Sequence, residues 1–255
     1  MGRAWERLGN LAAPTCQRLP SRLPQSPVVW LDDTGWRVGA QPQNLRVLLS
    51  EQVTVYLIEP HRGYAEAAAI LGEDYAGFLV HDGARCFYGL EQALHPSCLE
   101  HLIRRCREMI RMASPAAARF PLAVRRLLQQ GLELRDRYRQ GSLSGHGLGV
   151  ATGRLEARLD RLLDGHFPRF CVVPVGRPPT MWPSRPSGRW WWPARPGVAT
   201  APGTAPARIR AQRAPLASVL RTCWQQGKDA FRQLVNLLRS PDPVLLEIVA
   251  AAQSP

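Results

Sequence analysis

Two aspartates in this sequence each follow an apolar run and lead into a glycine turn. Asp32 comes directly after the run at residues 28–31, and Asp82 follows the run at residues 77–80 with one histidine between. Carboxylate oxygens are ligands that Mg²⁺ takes, and a bound cation offsets the repulsion between two close carboxylates. Aspartate near glycine is also ordinary turn chemistry, so either residue alone has a purely structural interpretation. Brought together, the two would suit a divalent metal ion.

The hydrophobic pattern predicts the elements that would position these aspartates. The two apolar runs predict buried strands, and open α/β sheets place their chemistry at the carboxyl ends of such strands. Between them, residues 44–50 and 53–59 predict a hairpin of two further strands, and residues 65–71 predict a helix. Three strands, a helix and a fourth strand, with aspartates ending the first and the fourth, is the order of a ribonuclease-H-like α/β fold with a mixed sheet.

Helical periodicity marks four segments outside this region: residues 4–23, 102–140, 154–163 and 216–240. Pro14 and Pro20 predict that the first segment forms one or two short helices. The second is a long helical insertion, and Gly227 predicts a break in the last. Residues 141–153 are rich in glycine and serine without periodicity, which predicts a flexible linker.

Charge and composition narrow the class of protein only partly. The net charge of +13 suits a nucleic-acid partner, but residues 165–227 hold nine arginines and no acid, so +9 belongs to this tract alone. Arginine-rich, lysine-poor composition equally fits a GC-rich gene. No apolar run reaches the roughly 18 residues of a membrane span, and the start lacks a hydrophobic signal region. Six cysteines without a paired framework predict reduced thiols and a cytoplasmic location.

Cys98 and His101 have the spacing of half a zinc site. No second Cys/His pair stands out, so the simpler interpretation is that Cys98 packs and His101 is a polar residue near the acidic pocket. The arginines that follow, Arg104 and Arg105 among them, are typical of solvated helix faces. A phosphate-contacting face is the alternative.

At these residues the sequence resembles the insertion sequence 66 family of bacterial transposases. The resemblance covers residues 4–171 and 216–245. Its blocks are SPVVWLDDTGWRVG, HRGYAEAAAILGEDYAGFLVHDG, Cys98-x-x-His101-x-x-Arg104 and LASVLRTCWQQGKDAF. Asp33 stands where the family usually has glutamate, which is a mild departure.

The resemblance implies a DDE-type transposase whose ribonuclease-H-like domain cuts and joins DNA with two divalent metals. Asp32 would be the first metal ligand and Asp82 the second, with Mg²⁺ or Mn²⁺ as the cofactor. The implied partner is DNA, at the terminal inverted repeats of the element, with self-association possible, and the implied location is cytoplasmic and nucleoid-associated. The family's N-terminal DNA-binding region is expected to be missing from this chain. Candidate DNA-binding residues are Arg37, Arg62, His101, Arg104 and Arg105.

The family's third acid, in a motif like N-x-A-E-x-A-I-R-P, has no counterpart in this sequence. Residues 172–215 are instead rich in proline, arginine and tryptophan, which predicts a disordered tract; a basic arm whose tryptophans stack on bases is one interpretation. A shifted reading frame is the better one. The shifted frame joins the last base of each codon to the first two bases of the next codon. Because Met and Trp have single codons, this frame must encode Val-Ala at residues 181–183 and Val-Val-Ala at residues 190–193. Across residues 180–193 it permits N-V-A-E-Q-A-I-R-P-V-V-V-A.

Three functions therefore follow from the sequence. The chain is expected to be a decayed transposase without its catalytic glutamate, since Glu156 and Glu247 lie in no matching motif. A non-catalytic remnant that binds DNA or dimerises is the alternative. A metal-dependent nuclease on the same fold would need a further acid that the sequence does not contain in a recognisable place. The predicted domains are a helical lead-in at 1–27, a core with its insertion at 28–171, the aberrant tract at 172–215 and C-terminal helices at 216–255.

Overall fold

A computed structural model describes residues 2–38, 41–164 and 207–249. The chain divides into two units, one formed by Met1–Pro96 with Trp190–Pro255 and the other by Ser97–Arg189. The architecture is mixed α/β. In the described ranges no helix has the length and apolar character needed to cross a membrane.

A four-stranded mixed sheet organises the first unit. Its strands are β1 (Val28–Val38), β2 (Gln41–Leu49), β3 (Thr54–Glu59) and β4 (Phe78–Val80), in the order β3-β2-β1-β4. The first three pair antiparallel, and β4 lies parallel to β1. A parallel neighbour requires a crossover connection, which α2 (Tyr64–Leu71) supplies between β3 and β4. The predicted order of strands and helix is confirmed.

Alternating strand residues build the core on one face of the sheet. Val29 and Leu31 of β1 are buried with Leu48 of β2 and Val55 of β3. Leu71 of α2 joins them, because a helix over the sheet must bury its apolar side. The burial of every second β1 residue in this core sends the intervening side chains to the opposite face.

The C-terminal helices α6 (Ala207–Gln225) and α7 (Ala230–Arg239) complete this unit. Side chains of α6 satisfy the outer edge of β3: Ser218 Oγ accepts a hydrogen bond from the Tyr56 amide at 2.8 Å. Thr222 Oγ1 accepts one from the Thr54 amide at 3.1 Å and donates to its carbonyl at 3.2 Å. Edge strands otherwise offer these groups to other chains, so α6 closes this edge to further pairing.

Two predictions about prolines need correction. Pro14 lies inside a single helix, α1 (Gly2–Arg18), rather than at a break, while Pro20 opens a separate 3₁₀ turn. Helix α6 also begins at Ala207 and contains Pro215, so residues 207–215 of the tract predicted to be disordered are helical. Packing of α6 against α1 and β3 favours helix there despite the proline. Residues 172–206 of that tract lie outside the described residues.

The described part of the second unit, up to residue 164, forms the helices α3 (Leu99–Met112), α4 (Arg119–Arg139) and α5 (Gly145–Asp164). Helix α4 packs against both α3 and α5. The predicted linker at residues 141–153 is therefore wrong, because α5 starts within it. Gly131 of α4 lies close to Leu155 of α5, and Arg158 donates to Gln130 Oε1 at 2.9 Å. Such tertiary contacts outweigh the poor helix propensity of glycine.

Replacing one of these helical glycines should stabilise the second unit. We expect Gly149→Ala to raise the free energy of unfolding by about 0.5–1 kcal/mol, because alanine loses less backbone entropy in a helix. Space is available, since nothing lies within 4 Å of a Cβ at Gly149. Urea unfolding followed by circular dichroism measures the change. Gly147→Ala is the matched control, because a Cβ there lies 3.0 Å from Leu143 Cδ1. An equal gain at both positions, or none at Gly149, would contradict this account.

Candidate active site

Asp32 lies on β1, and Asp82 follows the end of β4, the parallel neighbour of β1. The register pairs Val28 with Phe78 and continues residue by residue to the last pair, Trp30 with Val80. Each aspartate lies two residues beyond that last pair, and neighbouring strands are about 4.8 Å apart. The chain leaving β4 towards Asp82 thus runs in the same direction as β1, and alternation along β1 turns the Asp32 side chain to the face away from Leu31.

The local backbone holds Asp32 in place and sends the next acid elsewhere. The Asp33 amide donates a hydrogen bond to Asp32 Oδ1 at 2.9 Å. Because side chains alternate along a strand, the Asp33 carboxylate points to the opposite face from that of Asp32. The adjacent acids of β1 thus have different surroundings, which the sequence alone did not distinguish.

Asp33 belongs to a buried ion network. The register places it opposite Arg46 on β2, whose Nε donates to Asp33 Oδ1 at 2.9 Å. The side chain of Arg46 is 0% exposed and that of Asp33 is 1% exposed. Arg46 Nη1 also lies 3.2 Å from Glu59 Oε2, and its Nη2 donates to the Gly63 carbonyl at 3.3 Å. Asp33 is therefore committed to a structural ion pair.

The electrostatics of this network follow from burial. Burial disfavours a charged guanidinium and lowers the pKa of Arg46, but the hydrogen bond and charge of Asp33, together with the charges of Glu59 and Glu66, leave that pKa raised. Burial likewise raises the pKa of the Glu59 carboxyl, against the opposing effect of Arg46. Phe87 lies under the guanidinium, 5.7 Å from Arg46 Cζ to the ring centroid. A buried charge of this kind is stable only while its partners remain.

The turn that carries Asp82 is held by side-chain to backbone hydrogen bonds. The Ala84 amide donates to Asp82 Oδ1 at 2.9 Å, and the Gly83 amide donates to His81 Nδ1 at 3.0 Å. Gly83 has φ of 88°, a left-handed conformation that favours glycine. The sequence pattern located this turn correctly, but it gave no role to the histidine before the aspartate.

Two imidazoles beside this turn have defined tautomers. Since His81 Nδ1 accepts from Gly83, the proton of the neutral ring lies on Nε2, which donates to His95 Nδ1 at 3.1 Å. His95 Nε2 then carries its proton and donates to the Leu90 carbonyl at 3.0 Å. His81 is 1% exposed, and burial together with His95 lowers its pKa to about 4, against the opposing charge of Asp82.

This lowered pKa predicts a loss of stability in mild acid. The ordinary pKa of histidine, about 6.5, lies above the folded value of about 4, so the unfolded chain binds the proton more readily between them. The contribution of His81 is therefore complete above pH 6.5 and is lost as the pH falls towards 4. The total is up to about 3 kcal/mol, since one pKa unit corresponds to about 1.4 kcal/mol.

Urea unfolding from pH 7 to pH 4 in metal-free buffer measures this effect. The difference in unfolding free energy between the unaltered chain and His81→Gln should shrink as the pH falls, because glutamine does not titrate. The exposed His61 provides the matched control variant, His61→Gln. Parallel curves for the unaltered chain and His81→Gln would overturn the assignment.

The donor set fits part of a divalent-metal site. Asp32 on β1 and Asp82 beyond the end of β4 carry carboxylate oxygens, the hard donors that Mg²⁺ and Mn²⁺ prefer. Across residues 2–38, 41–164 and 207–249, however, no group of three or more His, Cys, Asp or Glu side chains could hold a metal ion. Asp33 does not add a ligand, because it binds Arg46.

The remaining predicted residues lie in different places. Arg37 is exposed near the end of β1. Arg62 is half-exposed, with its Nε 3.7 Å from Asp33 Oδ2. His101, Arg104 and Arg105 belong to α3 in the second unit, and both arginines are exposed. Cys98 caps the start of that helix. Burial raises its pKa, but the side-chain hydrogen bond from His101, the backbone hydrogen bonds of His101 and Glu100 and the charge of His101 together leave the thiol pKa lowered.

Sequence reasoning missed three residues around the two aspartates: Arg46, His81 and His95. A signal existed for Arg46, because an arginine inside a run of strand-forming residues needs a buried acid as its partner. His81 was visible beside Asp82 but carried no pattern of its own. The sequence could not connect His95 to His81, because the turn at Asp82 and the 3₁₀ helix Arg85–Gly89 lie between them and such a contact produces no periodic pattern.

Comparisons with known proteins give a family and weak likenesses to solved structures. The family model described as "Transposase IS66 family" matches residues 1–141. Among curated proteins, none matches. A similar solved structure is the HTLV-2 integrase catalytic core domain in complex with magnesium, in a dimeric form. It is 13% identical with a TM-score of 0.23, over 33% of this chain and 67% of that chain. A likeness of this strength carries no argument.

Proposed function

Because the chain belongs to the IS66 transposase family, we propose that it carries the ribonuclease-H-like domain of a DDE-type transposase in a form that binds DNA but does not cut it. Asp32 and Asp82 are the first two metal ligands of that site. The observation that carries the proposal is the β1–β4 register, in which each aspartate lies two residues beyond the pair Trp30 and Val80.

The sheet supports the fold assignment. The order β3-β2-β1-β4, with three antiparallel strands followed by a parallel fourth, is the arrangement of a ribonuclease-H-like sheet. In that arrangement the chemistry belongs at the level of the central β1 strand. Asp32 lies there, with its Oδ1 held by the Asp33 amide at 2.9 Å.

The residues of this chain would bind and orient the reacting groups. When bound, divalent metal ions activate an attacking oxygen and stabilise the leaving oxygen of an in-line phosphoryl transfer. Asp32 and Asp82 would hold such ions on one face of the sheet. The Ala84 amide, 2.9 Å from Asp82 Oδ1, would keep that carboxylate oriented. The Arg46 network keeps Asp33 on the other face and out of this set.

Loss of catalysis follows from the donor count. A two-metal site needs a third carboxylate, and the family's motif for it is missing from the sequence. In the part of the chain that the structure describes, no third His, Cys, Asp or Glu joins the two aspartates as a metal group. The shifted frame across residues 172–215 accounts for this missing acid. Cutting would therefore fail while the scaffold remains.

DNA binding would come from arginines that contact phosphates. Arg104 and Arg105 are exposed on α3, and Arg37 is exposed on β1. Arg62 and His101 are the further candidates. Phosphate contacts release counterions, so the affinity should fall steeply as salt rises. Self-association would allow such a chain to interfere with intact transposase.

A gel-shift and cleavage assay on the terminal inverted repeats of the element tests this function. We expect a salt-dependent complex with DNA and no strand cleavage with Mg²⁺ or Mn²⁺. Arg104→Ala with Arg105→Ala should weaken the complex and reduce its salt slope by about two. Arg119→Ala, an exposed arginine of α4 that the resemblance does not single out, is the control. Cleavage by the unaltered chain would refute the loss of catalysis, and absence of binding would refute retained DNA recognition.

A further inference from the structure

The buried imidazole of His81 and the half-buried imidazole of His95 have no role in the chemistry proposed above. We propose that His95, acting through His81, is a positioning residue that fixes the Asp82 carboxylate for metal binding. This inference rests on the proposed function, because Asp82 must be a metal ligand for its orientation to matter.

The hydrogen bonds form one continuous chain from the turn to the core. The Gly83 amide donates to His81 Nδ1 at 3.0 Å, and His81 Nε2 donates to His95 Nδ1 at 3.1 Å. His95 Nε2 donates to the carbonyl of Leu90 at 3.0 Å. Leu90 is fully buried in the core of this unit. The residues flanking Asp82 are thus tied to a rigid part of the same unit.

Ring packing restricts the same pair. The His81 ring contacts those of Phe87 and Tyr88 edge-on, with centroids 5.3 Å and 5.2 Å away. Tyr88 also lies against His95, with centroids 4.8 Å apart. Phe87 is buried, so its packing restricts tilting of the His81 ring. The hydrogen bonds of the two ring nitrogens restrict rotation of the ring about its side-chain bonds. Rotation of the His81 ring would break the hydrogen bond from the Gly83 amide, which helps to hold the turn at Asp82.

A purely space-filling role does not explain this arrangement. Burying a polar ring costs free energy unless its nitrogens are hydrogen-bonded, and an apolar side chain would fill the space without that cost. Every ring nitrogen of the pair has instead a partner that fits one tautomer. Partners in the outer shell of a metal ligand commonly change metal affinity about ten-fold or more when they are removed.

The test measures Mn²⁺ affinity by water-proton relaxation on the full chain. We expect His95→Phe, which keeps a ring but removes both hydrogen bonds, to weaken Mn²⁺ binding about ten-fold. His95→Gln keeps an acceptor and a donor and should restore most of the affinity. His81→Asn provides a second variant, because its carbonyl can still accept from Gly83 while it loses His95. The exposed His61 gives the matched control, His61→Phe.

Tautomer assignment by ¹H–¹⁵N correlation gives a readout that a structural role alone would not move. We expect the Nε2-protonated form for His81 and for His95 in the unaltered chain, and a disturbed His81 signal in His95→Phe. Urea unfolding checks that each variant folds. Unchanged Mn²⁺ affinity in a folded His95→Phe chain overturns this inference alone. If Asp82→Asn leaves Mn²⁺ binding unchanged, or if the unaltered chain binds no Mn²⁺, the proposed metal site is refuted, and the role of His95 is refuted with it.

Discussion

Restoring the reading frame across residues 172–215 should give a chain that transfers DNA strands with Mg²⁺, if the proposed loss of the third carboxylate is what prevents catalysis. The shifted frame permits the motif N-V-A-E-Q, whose glutamate is the carboxylate that the two aspartates lack. We expect strand transfer to rise at least about a thousand-fold, equivalent to roughly 4 kcal/mol of transition-state stabilisation. Strand-transfer assays on the terminal inverted repeats measure the change.

Substitutions in the restored chain identify the ligands. Asp32→Asn and Asp82→Asn should each return activity to background, as should glutamine in place of the restored glutamate. Asp74→Asn, at an exposed acid, is the control and should retain activity. Strand transfer by the unrestored chain would contradict the proposal. Genomic bases that cannot encode N-V-A-E-Q in the shifted frame would contradict the frameshift itself.

Removing the positive charge of the buried ion network should be the most damaging single substitution for folding. We expect Arg46→Met to lower the free energy of unfolding by about 3–5 kcal/mol, because Asp33 would lose its buried counter-ion and keep only the half-exposed Arg62, 3.7 Å away. The carboxylate of Asp33 is 1% exposed, and Glu59 is only 20% exposed, so water screens neither well. Urea unfolding at pH 7 measures the loss.

A double substitution separates charge from packing. Arg46→Met combined with Asp33→Asn should recover part of the loss, since the unpaired charge is gone while the packing defect remains. The exposed pair Arg107 and Glu100, 3.9 Å apart, supplies the control. Arg107→Met should change stability little, because exposed ion pairs contribute little. Equal losses of stability from Arg46→Met and Arg107→Met would contradict the claim that burial makes the loss of Arg46 costly.

The local pattern of the chain determined the elements of the sheet region. Apolar runs before Asp32 and Asp82 gave the first and fourth strands, and the residues between them gave the hairpin and α2. Periodicity works here because each strand or helix is specified mainly by its own residues. It failed where local preference was overruled: α1 continues through Pro14, and α5 begins among glycines that read as a linker.

Tertiary structure alone decided how those elements meet. The register of β1 against β2 selects Asp33 as the partner of Arg46, and the parallel pairing places β4, which leads into Asp82, beside β1, which carries Asp32. Ser218 and Thr222 accept hydrogen bonds from amides at the edge of β3, although more than half of the chain separates them from that strand. His95 met His81 through a turn that no periodicity predicts. Local patterns cannot encode such contacts, because a register or a hydrogen bond between distant segments is selected only when the whole core closes.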